Sequence, residues 1–155
     1  MISRLFEIIC LIVYLISSTK CAFSDGQYHW LVGNPNDFVV SNPNRLTGGV
    51  VMSGGGEDVG SAMRWFLEKA AGGDVIVLRN AEEGATDLDD PNADRYNLYF
   101  YARLGVFVDS VETILFNGKA VAENPVVIDK VRKAEAVFFT GGDQSVSQKS
   151  ISSLL

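Results

Sequence analysis

Three segments of the chain are rich in β-branched, aliphatic and aromatic residues and lack strict apolar–polar alternation. They are Asp74–Leu78, in which Asp74 is followed by Val-Ile-Val-Leu, then Val111–Phe116, and finally Ala136–Thr140. A strand with one wet face alternates apolar and polar residues, whereas a continuous β-branched or aromatic run is buried on both faces. Helical segments lie between these runs, and strands joined through helices are expected to be parallel, with right-handed crossovers. The sequence therefore predicts an α/β fold: a three-layer α/β/α sandwich around a mostly parallel sheet.

The remaining elements follow from periodicity and punctuation. Tyr28–Val32 reads as a short strand, followed by a loop rich in Asn and Pro from Gly33 to Asn44. Val50-Val51-Met52 reads as a brief strand entering the glycine loop Gly54-Gly55-Gly56. Val59, Ala62, Met63, Phe66, Leu67 and Ala70 then recur at helical spacing. Gly72-Gly73 is placed to end that helix as a glycine cap. Arg79–Asp94 is a long polar loop, Tyr96–Leu104 a short helix ending at Gly105, and Pro125 a first-turn residue for a helix over Val126–Lys133. No internal repeat or heptad is present, and the only biased stretch is Ser145–Leu155, with five serines.

The amino-terminal residues call for a separate reading. Arg4 and the terminal amine precede Leu5–Ser18, which is apolar apart from Glu7 and its last serines, and the run ends in Ser17-Ser18-Thr19-Lys20. It falls short of the roughly 20 apolar residues a spanning helix needs, so residues 1–22 are expected to be a signal peptide, with residues 23–155 as the domain. The expected location is outside the cell or in the secretory-pathway lumen, with no membrane attachment after cleavage. Cys10 and Cys21 both fall inside or at the edge of the leader, so the domain is expected to have no disulfide. No Asn-x-Ser/Thr acceptor occurs, so the sequence lends no support to N-glycosylation.

At 47% hydrophobic and 21% charged, 155 residues suffice for one real core and not for two. The formal charge of −6 becomes more negative without the leader, which argues against nucleic acid as a partner. The single histidine, His29, rules out a histidine-rich metal site and reads as structural, and no metal or cofactor is expected. Asp87–Asp94 resembles the start of a calcium loop, yet Asn92 replaces the required glycine and Leu98 stands where a bidentate Glu belongs, so a solvated acidic loop is the better account. The Gly54 loop fits neither the dinucleotide fingerprint nor the phosphate-binding loop, and no nucleophile elbow exists. Ser53 has no base paired with it in the sequence. Trp65, Phe66, Tyr96, Tyr99, Phe100 and Tyr101 read as helix faces packing on the sheet.

In open parallel sheets, ligands bind at the carboxyl ends of the strands. Those ends carry Gly54-Gly55-Gly56-Glu57-Asp58, then Arg79 with Asn80, then Gly141-Gly142-Asp143-Gln144. Paired glycines after a buried strand allow a sharp turn, and the N–H groups they present can stabilise an oxyanion.

Several motifs, in this order and spacing, carry a family resemblance from about Gln27 to Gln144. They are Leu31–Pro35, Gly48–Asp58, Arg64-Trp65-Phe66, Ala71–Asp74 and Ala134–Gln144. The chain resembles the amino-terminal part of a cyanophycinase-like serine peptidase, in the group that includes the alpha-aspartyl dipeptidases. The resemblance implies a fold similar to class I glutamine amidotransferases and a peptide substrate. It assigns Gly141, Gly142, Asp143 and Gln144 to oxyanion and substrate binding, and Gly55, Gly56, Glu57, Asp58 and Arg79 to the rim of the cleft. It also implies a serine nucleophile after the next strand, then a histidine and an acid, all past Gln144 in the family pattern and missing from this sequence. The expectation is a partial peptidase domain lacking its nucleophile half and inactive alone. The final strand would be central in the sheet, with an exposed edge that invites self-association. The alternatives are a secreted binding module that holds a small acidic ligand through Arg79 and the glycine-loop N–H groups, or a fragment completed by another chain.

Overall fold

A computed structural model describes residues 19–22, 28–40, 44, 46–54, 56–80, 95–116 and 119–141. Its strands are β1 (Thr19–Ala22), β2 (Tyr28–Gly33), β3 (Asp74–Asn80), β4 (Ser110–Phe116) and β5 (Ala136–Phe139). They form one five-stranded sheet in the order β1-β2-β4-β3-β5. The helices are α1 (Gly60–Lys69), α2 (Arg95–Leu98), which runs on into a π-helical turn over Tyr99–Arg103, α3 (Lys119–Ala122) and α4 (Pro125–Lys133).

The alternation of a pleated strand sorts the core into two halves. Val75 and Val77 of β3 and Val111 of β4 face α1 and α2, packing with Met63, Leu67, Tyr96 and Phe100. Ile76, Leu78, Ile114 and Phe116 face the other way, against Val121 and Ala122 of α3 and Val127 of α4. Helices thus cover both faces, and all seven residues of β4 are buried. The start of α4 follows from local chemistry: the Asn124 side chain accepts from the N–H of Val126 at 2.8 Å, and Pro125 occupies the first turn, where its missing N–H costs nothing. Lys130, Arg132 and Lys133 then complement the negative end of that helix.

The general α/β class is present, but the sheet is mixed. β3 runs parallel to β4 and β5, whereas β2 is antiparallel to β4 and β1 antiparallel to β2. The expected strand at Val50–Met52 does not form, and Val50 and Met52 are among the most exposed apolar residues, at 83% and 92%. Three residues between glycines on one side and Ser53-Gly54 on the other gain too little from pairing to offset the ordering of so flexible a segment. β5 lies at the end of the strand order rather than centrally, pairing with β3 alone among the described residues. The turn after α1 also differs. Ala71 takes the first left-handed position, at φ 53°, ahead of Gly72 at φ 89°. β1 uses the last residues of the expected leader, so cleavage near Ala22 would remove that strand and leave β2 at the edge.

The amino ends of the parallel strands are tied together by Asp74. Its carboxylate accepts from the N–H of Phe38 at 2.8 Å and from the Ser110 hydroxyl at 2.6 Å, while its own N–H donates to Glu135 at 2.7 Å. Gly33 closes the same edge at φ 99°, and an added Cβ would stand 2.2 Å from the Asp109 carbonyl oxygen and 2.8 Å from the Ser110 Cα. On the α4 face, the buried Glu112 bonds His29 of β2 through one oxygen and Lys130 of α4 through the other, the latter at 2.6 Å. Burial pushes the Glu112 carboxyl up, but the hydrogen bonds from His29 and Lys130, with their charges, outweigh it and hold the group below the usual carboxylate range.

Candidate functional site

At the opposite, carboxyl edge of the parallel strands, the α1 and α2 face opens into a cleft of about 1200 Å³. Its base is aromatic. Phe138 of β5 lies 5.0 Å from the Tyr96 ring, 5.1 Å from Phe100 and 6.0 Å from Phe66, centroid to centroid. Rings at these separations and tilts gain quadrupole attraction beyond their buried area, so the floor is set by packing before any ligand arrives. The aromatic pattern was legible as core for Phe66, Tyr96 and Phe100. Trp65 departs from it, being 40% exposed on the outer side of α1.

Trp65 instead anchors the glycine-rich segment. An added Cβ on Gly49 would fall 2.4 Å from the Trp65 ring, so the backbone lies directly on the indole. Lys69 sits over the same ring at 4.8 Å and donates to the Thr47 hydroxyl at 2.8 Å. This contact holds the chain so that Ser53, Gly54, Gly56, Glu57 and Asp58 form one wall of the cleft, ahead of α1. The other wall comes from Arg95, Tyr96, Tyr99 and Arg103, and Gly141 enters at the end of β5. Thr140 makes the last ladder contact there, its N–H donating to the Leu78 carbonyl at 3.0 Å, after which the chain leaves the sheet.

The sequence-derived residues are thus brought together in part. Gly56, Glu57, Asp58 and Gly141 line the same cleft. Arg79, next to last in β3, is half-buried and is not among the lining residues, so among the described residues the cations of the cleft are Arg95 and Arg103 instead. Gly55, Gly142, Asp143 and Gln144 lie outside the described residues. Arg95 donates to the Tyr96 hydroxyl at 3.1 Å with its guanidinium 4.8 Å from that ring. The Tyr99 hydroxyl approaches the first residue of α1, lying 4.0 Å from where a Cβ on Gly60 would stand. Burial, then the charge of Asp58, raises the Tyr99 pKa against the opposing pull of Arg64, so the phenol stays a neutral donor.

Neither Arg95 nor Arg103 has a linear signal that would have found it, because a cation on a short helix has no periodicity of its own, and a π-helical turn sets the facing of Tyr99 and Arg103. Among the described residues, no cluster of three or more His, Cys, Asp or Glu could hold a metal ion, and no helix is long and apolar enough to cross a membrane. No protein-family model, curated protein or solved structure matches this chain.

Proposed function

We propose that these residues form the substrate-binding cleft of a cyanophycinase-like serine peptidase, on a sandwich of the class I glutamine amidotransferase type, and that the cleft residues described above bind peptide without hydrolysing it by themselves. The observation that carries the reading is the meeting of Gly141 with Gly54, Gly56, Glu57 and Asp58 in one cleft at the carboxyl edge of the parallel strands. That is where an open α/β sheet binds its ligand, and where the resemblance puts oxyanion and substrate contacts. The motif order from Leu31–Pro35 to Ala134–Gln144 supports the same reading. Entry into the secretory pathway through residues 1–22 belongs to the proposal, as does self-association through the β5 edge.

Chemistry limits what the cleft does alone. Backbone donors stabilise charge that develops only after a nucleophile has attacked. Losing the serine of a serine peptidase costs about six decades in kcat, or about 8 kcal/mol of transition-state stabilisation. Adding aspartyl-alanine to the purified protein is expected to shift the amide resonances of Gly54, Gly56 and Gly141 without releasing free amino acids. Turnover abolished by a serine-directed inhibitor would overturn the inactivity, and unmoved cleft resonances would overturn the site.

A further inference from the structure

The cleft wall opposite the glycine loop carries two guanidinium groups, and neither pairs with a carboxylate among the described residues. The acids that share the cleft, Glu57 and Asp58, come from the glycine-rich segment ahead of α1. We propose that Arg95 and Arg103 form a carboxylate receptor, with the Tyr99 hydroxyl as a neutral donor beside them. The ligand is a small zwitterion, an amino acid or short peptide, whose cationic end faces Glu57 and Asp58. This assignment rests on the reading of the cleft as a ligand site.

Three features support it. Arg95 is held in place: stacked on Tyr96 and bonded to its hydroxyl, it has less side-chain freedom left to lose, and among the described residues most of its five N–H donors are uncommitted. A guanidinium presents paired N–H groups in the geometry a carboxylate accepts, which an ammonium does not. The second arginine is delivered by the π-helical turn Tyr99–Arg103, which buries Phe100 in the core while Tyr99 and Arg103 line the cleft. Such turns are rare, occur mostly as single turns within α-helices, and are frequent at functional sites. Electrostatically, opposite charges contributed to one cleft by two separate segments orient a dipolar ligand and disfavour one bearing a single charge.

Calorimetry with the full chain tests the assignment, using aspartyl-alanine, its carboxyl-terminal amide, and succinate as a simple carboxylate probe. The free acid is expected to bind at least about tenfold more tightly than the amide, since charge-assisted hydrogen bonds are lost with the carboxylate. Arg95→Gln and Arg103→Gln are each expected to weaken the free acid by a similar factor and to leave the amide nearly unchanged. Arg103→Lys should recover only part of the affinity, and the melting temperatures of all three variants should match the parent. If the amide binds as well as the acid, the carboxylate receptor is wrong while the cleft reading stands. If the dipeptide fails to bind but succinate still moves the Arg95 and Arg103 side-chain resonances, the receptor stands and the peptide reading falls. If neither probe binds, both fall.

Discussion

The two ends of the parallel strands β3, β4 and β5 are built on opposite terms. At the amino edge, most polar groups are consumed internally: Asp74 alone joins the Phe38 loop, β4 and the entry to β5, and among the described residues there only the Asp109 Oδ2 is buried without a partner. At the carboxyl edge, Arg95, Arg103, Glu57 and Asp58 line an open cleft with no carboxylate–guanidinium pair between them among the described residues. A buried donor or acceptor must be paired, so a knot of satisfied groups marks an edge used for stability. Charged groups left open to a concave surface mark one kept for a ligand. Substitutions at the amino edge should therefore change stability and leave binding alone, and those at the carboxyl edge should do the reverse.

The largest effect is expected at Gly33. Alanine there would have to hold a positive φ and place its Cβ against the backbone of Asp109 and Ser110, which cannot yield as a side-chain tip can. Gly33→Ala should cost about 3 kcal/mol, seen as a lowered urea midpoint. A midpoint within the scatter of the parent would mean that the β2–β4 edge is not as close as described. Next comes Asp74→Ala, which leaves the buried Ser110 hydroxyl and the Phe38 N–H without their acceptor and should cost about 2–3 kcal/mol. Asp74→Asn keeps one acceptor and should cost less. If either variant changed the affinity for aspartyl-alanine as much as Arg95→Gln does, the separation between the two edges would be lost.

Much of this contrast could be read along the chain, and where it could not, the reason is physical. The buried runs at Asp74, Val111 and Ala136 gave strands within about two residues of their observed ends, because burial on both faces puts apolar and β-branched residues on both, even with Glu112 inside β4. The direction of β2 was not legible, since its pairing with β4 is set in three dimensions. Val50–Met52 misled because an apolar triplet is the same signal whether it pairs in a sheet or stays exposed beside the contact of Gly49 with Trp65. In the site, the glycine loop and Gly141 were visible as breaks in pattern. Arg95 and Arg103 were not, because a cation on a polar helix face has no periodicity of its own. The Glu112 cluster was equally hidden, as its three members lie 83 and 18 residues apart in sequence and meet only across β2, β4 and α4.

Acid titration sharpens the comparison within the fold. Glu112, depressed by His29 and Lys130 against its own burial, contributes stability above the ordinary carboxylate range that is lost as pH falls through its lowered value. Glu135, at the amino edge, is raised by burial first and by the Asp74 charge, so its contribution is present at low pH and lost as pH rises through its raised value. The two act in different windows, one below and one above about pH 4.3. Urea midpoints measured across that range should lose their acid-side fall in Glu112→Gln and their decline on the less acidic side in Glu135→Gln. The second effect should be the smaller, since Glu135 is partly solvated. Unchanged profiles in both variants would show that neither carboxylate is bonded as described.

The smallest expected change has the opposite sign and tests the turn that joins α1 to β3. Ala71 sits at φ 53°, a left-handed position that costs an L-residue with a Cβ roughly 1 kcal/mol, while Gly72 beyond it occupies the same region at little cost. Ala71→Gly relieves that strain but also enlarges the conformational freedom of the unfolded chain, which opposes the gain. The balance should be a rise of about 0.5 kcal/mol in stability, with affinity for aspartyl-alanine unaffected because the turn lies at the amino edge. A loss of stability would mean that the helix ends on Gly72 alone, as the glycine pair in the sequence first suggests, and that Ala71 does not hold the left-handed position.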